Sequence, residues 1–73
     1  MSAKQEHHLL LGKEIRFRRK QAKFSQETLA EKADLSTVFI SRVERGKESP
    51  TVDSLAKIAG ALGVQVRDLV RKF

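Results

Sequence analysis

No cysteine occurs among the 73 residues, which excludes a disulfide framework and a thiolate metal centre. The two histidines, His7 and His8, stand side by side near the N-terminus. Sequence neighbours do not share a helix face, and no third ligand lies close by, so a solvated pair and no metal site are expected. No apolar run approaches transmembrane length. Leu9-Leu10-Leu11 is too short for a spanning helix or a signal-peptide core, so no membrane partner is expected and the cytoplasm is the expected compartment. Nor does an acid–base constellation sit beside a pocket-forming segment. The chain is therefore not expected to be an enzyme, and no cofactor is expected. Size sets a further bound. A domain near this length buries only about 60% of its unfolded surface, enough for one small core and no buried small-molecule ligand.

What the chain does have is positive charge. Fifteen Lys and Arg against nine Asp and Glu give a formal charge of +6 and a pI near 10.2, which favours a polyanionic partner. Charge alone is weak support, because many small proteins are basic without binding nucleic acid. Residues 1–8, MSAKQEHH, carry no apolar periodicity and are expected to form a mobile tail before a domain at 9–73. The remainder is organised around Gln26–Gly46, QETLAEKADLSTVFISRVERG. Leu29, Ala30 and Ala33 fall on one helical face, and Phe39, Ile40 and Val43 on another. Between them Asp34-Leu35-Ser36 interrupts the period. Asp tolerates a left-handed backbone, Leu35 is apolar enough to tuck under a corner, and Ser36 is a good N-cap. Two helices crossing at a short corner, the second with polar residues outward, make a helix-turn-helix.

Ser25-Gln26-Glu27-Thr28-Leu29-Ala30, followed by Phe39-Ile40-Ser41-Arg42-Val43-Glu44-Arg45-Gly46, resembles the Xre family of Cro/repressor-type DNA-binding domains. The similarity continues through Pro50-Thr51, Leu55, Ile58, Ala59, Leu62-Gly63-Val64 and Leu69, and so covers about residues 9–73. One departure is Asp34, at a corner position where the family often has glycine. The resemblance implies an all-α bundle of five short helices and binding to double-stranded DNA.

The remaining helices follow from period and caps. Leu11, Ile15, Arg19 and Ala22 mark a first helix over 9–23, with Lys13, Arg16, Arg18, Lys20 and Lys23 on its other faces. That basic strip, Arg16 included, faces phosphates or is simply solvated; the DNA-binding motif beside it favours phosphates. A membrane-surface role would need the apolar positions that the core claims. Thr51 caps a fourth helix carrying Leu55, Ile58, Ala59 and Leu62, which Gly63 ends. A fifth spans about 65–72, with Val64 and Leu69 filling the core. Val66, Val70 and Phe73 are then in excess, as scattered surface apolars or as a dimer patch. Repressors that this chain resembles form two-fold homodimers, which favours the patch.

Arg19 interrupts an apolar stripe, where an unpaired cation is costly to bury; either it snorkels to solvent or it has a partner. The resemblance implies one, Glu44. Gln26, in the first turn of the second helix, stands where amide and helix N-terminus together hold a phosphate, and the family uses glutamine there. On the recognition helix, Thr37, Val38, Ser41 and Arg42 remain to face the groove. Arg forks to guanine O6 and N7, Thr hydrogen-bonds or touches a methyl, and Val packs on a thymine methyl. Ser36 is expected to cap and to touch phosphate. Arg45, Gly46 and Lys47 bring cations and a bare backbone amide together as a second phosphate clamp. The expected function is sequence-specific DNA binding with transcriptional regulation as its consequence. The alternative is an antitoxin-like protein-interaction module whose DNA binding is secondary.

Overall fold

The computed structural model describes residues 3–71, with side chains described from Glu6 onward. Five helices follow in order: α1 Ala3–Gln21, α2 Gln26–Ala33, α3 Thr37–Glu44, α4 Val52–Leu62 and α5 Val66–Val70. Among the described residues there is no strand, and no helix is long and apolar enough to cross a membrane. The expected start of the first helix at residue 9 needs correction. The stretch expected as a tail is helical from Ala3, because Ala, Lys, Gln and Glu are all strong helix formers and nothing in residues 3–8 breaks the turn. Glu6 also places an acid near the positive end of the helix dipole.

Capping at the helix starts is local and regular. Ser25 Oγ accepts from Thr28 N at 3.0 Å, Ser36 Oγ from Phe39 N at 3.0 Å, and Thr51 Oγ1 from Ser54 N at 3.1 Å. Each satisfies one of the donors that a helix start leaves without a partner. At α5, where Gln65 is a poorer cap, Asp68 reaches back and accepts from Gln65 N at 2.9 Å.

The ends of α1 to α4 share one device. After α1, Phe24 N donates to Arg19 O and Lys23 N to Lys20 O; after α2, Leu35 N donates to Ala30 O and Asp34 N to Glu31 O. These are Schellman closures, which need a left-handed residue. Lys23 takes it with φ 62° and Asp34 with φ 57°, where Gly46 and Gly63 do so at the ends of α3 and α4.

Helices α2 and α3 pack on each other, α1 lies against α3 and α5, and α4 lies against α2 and α5. Ile15, Leu29, Ile40, Val43, Ile58 and Leu69 meet at the centre, nearly free of solvent. Leu35, Phe39, Val64, Val66 and Val70 pack partly buried around them. Gly12 lets α1 cross the end of α3 closely. A Cβ there would lie 2.5 Å from the carbonyl oxygens of both Val43 and Glu44. Helix α3 is thus held from behind by backbone contact, which fixes its angle to the rest of the domain.

Candidate nucleic-acid interface

Helix α3 divides cleanly into two faces. Ile40, Val43 and Glu44 are buried, with Phe39 half-buried against the core. Thr37, Val38, Arg42 and, following the helix, Arg45 are exposed, and Ser41 is half-buried between them. The four expected base readers therefore share the outward side. Val38 is 69% exposed, an apolar side chain held in water at the first turn of the helix. Ser36 is exposed and, as expected, caps α3.

Behind this face sits a buried ion pair between α1 and α3. Arg19 Nε donates to Glu44 Oε2 at 2.7 Å and Arg19 Nη2 to Glu44 Oε1 at 3.0 Å. The Arg19 side chain is 10% exposed and that of Glu44 2%. A parallel two-bond fork is the strongest geometry available to these groups. Arg19 Nη1 donates in addition to the Phe24 carbonyl at 2.9 Å, so one side chain ties α1 to α3 and to the corner before α2. Arg19 does not snorkel. Charge on Glu44 is thereby neutralised at the helix end closest to the cations Arg45 and Lys47, where a free carboxylate would repel phosphate.

Gln26 joins the same network. Its Nε2 donates to Glu44 Oε1 at 3.0 Å, so one of its two amide hydrogens is committed to the protein. The side chain stands at the start of α2, and its amide carries a second N–H. Arg16 is exposed on α1.

One expectation at the far end of α3 changes. The amide expected to be bare at Gly46 is not: Gly46 N donates to Val43 O at 3.1 Å and Lys47 N to Arg42 O at 2.8 Å. The Schellman closure uses both N–H groups, so a phosphate clamp at residues 45–47 must rest on the Arg45 and Lys47 side chains. Gly46 has φ 73°, and a Cβ on it would lie 2.7 Å from Leu9 Cδ2; the residue serves the turn. Arg42 is not free in solvent either. Its Nε donates to Glu48 Oε1 at 3.2 Å and its Nη2 to the Lys47 carbonyl at 3.3 Å.

Two of the three residues of the expected dimer patch are described. Val66 and Val70 are half-buried against the core, and Phe73 lies outside the described residues. The large apolar side chains most exposed among the described residues are elsewhere: Val52, Val38, Phe17 and Leu10. Sequence reasoning gave no role to Gly12, Phe17 or Glu48. A glycine amid a basic amphipathic helix was the one available signal for the close crossing at residue 12.

A family model described as helix-turn-helix matches residues 15–69. The chain is 43% identical over 63 residues to the control protein C.BamHI of Bacillus amyloliquefaciens, covering 85% of this chain and 78% of that protein. It is 40% identical over 62 residues to the immunity repressor protein of Bacillus phage phi105, covering 85% of this chain but only 43% of the repressor's length. Among solved structures, the P22 c2 repressor protein in complex with a synthetic operator superposes with a TM-score of 0.81 at 33% identity, over 88% of this chain and 97% of that one.

Proposed function

The chain belongs to the helix-turn-helix family, and on that premise we propose that it regulates transcription by seating α3 in the major groove of duplex DNA. The observation that carries this reading is the division of α3. One face is fixed to the core through Ile40, Val43 and the Glu44–Arg19 fork, and the other offers Thr37, Val38, Ser41 and Arg42 with basic side chains at its end. Thr37 and Val38 suit a thymine edge, Ser41 a donor or acceptor, and Arg42 a guanine. Gln26, Ser36, Arg45, Lys47 and Arg16 are the proposed phosphate contacts that set register without reading sequence. The relatives' names, a control protein and an immunity repressor, support regulation as the consequence. The cytoplasm is the proposed compartment.

One α3 spans a few base pairs, too few to mark a genomic site alone. We therefore propose a homodimer on a palindrome with half-sites about 34 Å apart, associating weakly through the Val66 and Val70 region and more strongly on DNA. Selection of bound fragments from a random duplex pool tests the whole reading. A recurrent palindromic motif is expected; a pool that remains random after repeated rounds would refute sequence-specific binding. Sedimentation then tests assembly, since a monomer at every concentration that binds DNA one copy per site excludes the dimer.

A further inference from the structure

Glu48 lies outside the recognition helix, in the loop before α4, yet it is bonded to the side chain with the greatest capacity to read a base. We propose that Glu48 is a positioning residue for sequence specificity, holding Arg42 by one edge of its guanidinium so that the other edge is presented to a guanine. The inference rests on the reading of α3 as the base-reading helix. Its geometry begins in the backbone. Gly46 takes a left-handed φ of 73°, and the chain doubles back so that Lys47 N donates to Arg42 O at 2.8 Å. Arg42 returns the bond, since its Nη2 donates to Lys47 O at 3.3 Å. This closed pairing sets residue 47 against residue 42 and delivers Glu48 Oε1 to Arg42 Nε at 3.2 Å.

A guanidinium has five N–H donors in a fixed plane. The Nε hydrogen and one Nη2 hydrogen point along one edge, and Glu48 and Lys47 occupy them. The remaining Nη2 hydrogen and the two on Nη1 are left, and the terminal Nη1–Nη2 edge is one that forks to guanine O6 and N7. Arg42 is 47% exposed in its side chain and Glu48 39%, so neither is held by packing. Without the carboxylate, a long side chain in water samples many rotamers, and binding must then order it. The same carboxylate is unfavourable for plain phosphate attraction, because it places negative charge beside Arg42, Arg45 and Lys47. Glu48 therefore lowers sequence-independent affinity while raising discrimination. Those two effects have opposite signs, and this separates the proposal from simpler roles.

The test measures affinity for a selected duplex and for a scrambled duplex of equal length, at one salt concentration, for five proteins: wild type, Glu48→Ala, Glu48→Gln, Arg42→Ala and the double variant Arg42→Ala/Glu48→Ala. Thermal unfolding confirms that each is folded. The expected result for Glu48→Ala is equal or tighter binding to the scrambled duplex, with a fall on the order of tenfold in the ratio of selected to scrambled affinity. Glu48→Gln keeps an acceptor for Nε and should retain part of the ratio. In an Arg42→Ala background, Glu48→Ala should change the ratio no further. If Glu48→Ala shifts both affinities by the same factor, Glu48 acts only through charge or stability and the proposal is overturned. If Arg42→Ala itself leaves the ratio unchanged, the base-reading role of Arg42 fails and takes the proposal with it. A reduced ratio for Arg42→Ala beside an unchanged one for Glu48→Ala sinks the Glu48 role alone.

Discussion

Replacing Glu44 with alanine removes the acceptor of three hydrogen bonds at once: two from Arg19 and one from Gln26. Arg19 is 8% exposed overall and keeps only the Phe24 carbonyl, so its charge is left largely buried without a counterion. Removing one partner of a buried pair costs about 3–5 kcal/mol, most of it the penalty on the survivor. Total stability at about 0.05–0.15 kcal/mol per residue comes to roughly 4–11 kcal/mol for a chain of 73 residues. Glu44→Ala therefore takes a large share of the total, and at the low end of that range leaves a mostly unfolded chain. Glu44→Gln keeps the volume and one acceptor and should lose less. Arg19→Ala leaves a carboxylate whose side chain is 2% exposed, a comparable loss. The double alanine variant removes both charges, so its cost should fall well below the sum. Urea unfolding followed by helical circular dichroism gives the four free energies of the cycle. Additivity within about 0.3–0.5 kcal/mol, or a loss for Glu44→Ala below about 1 kcal/mol, would refute a buried, coupled pair.

Other perturbations follow from the same contacts. Gly12→Ala places a Cβ 2.5 Å from two backbone carbonyl oxygens. Overpacking against backbone should fall in the upper part of about 1–3 kcal/mol and exceed the gain of about 1 kcal/mol in helix propensity, so Tm should drop; an unchanged or raised Tm would show that α1 does not cross α3 so closely. Lys23→Gly, at φ 62°, should stabilise by about 0.5–1 kcal/mol, the left-handed penalty less the entropy of glycine. Asp34→Gly should gain less, because Asp tolerates that region better, and a loss of stability in denaturant would contradict the argument for either. Lys47→Ala should weaken binding to every duplex alike and lower the slope of log affinity on log salt by about one unit. A sequence-dependent loss would make Lys47 a base contact.

Features set by a few adjacent residues were legible in the sequence. Ser36 and Thr51 cap as expected, Asp34 turns the corner between α2 and α3, and the outward face of α3 carries Thr37, Val38, Ser41 and Arg42. Arg19 stood out because a cation on an apolar stripe demands an explanation, although its partner came from the family pattern and not from spacing. The start of α1 was missed because residues 3–8 have no apolar period; helix propensity alone extends the helix to Ala3. Gly12 was a signal without a stated role, because which backbone it lets approach is a tertiary fact. Gly46 was read as a bare amide, but it ends α3 in a left-handed conformation and the closure this permits consumes that amide. Glu48 was out of reach because the direction of its side chain depends on that turn. Val66 and Val70 looked surplus on a count of core positions, yet the small core still draws them in.

The most direct test of the central claim is a competition measurement. The chain is titrated onto a duplex carrying the selected motif and onto a scrambled duplex of the same length, at a fixed, near-physiological salt concentration. If α3 reads bases, the selected duplex should bind roughly 10³–10⁷ times more tightly, and the ratio should fall when any of Thr37, Val38 or Arg42 is replaced by alanine. Both affinities should weaken with salt, because phosphate contacts serve each duplex. A ratio near one would mean that the basic surface merely attracts DNA and that the outward face of α3 reads nothing.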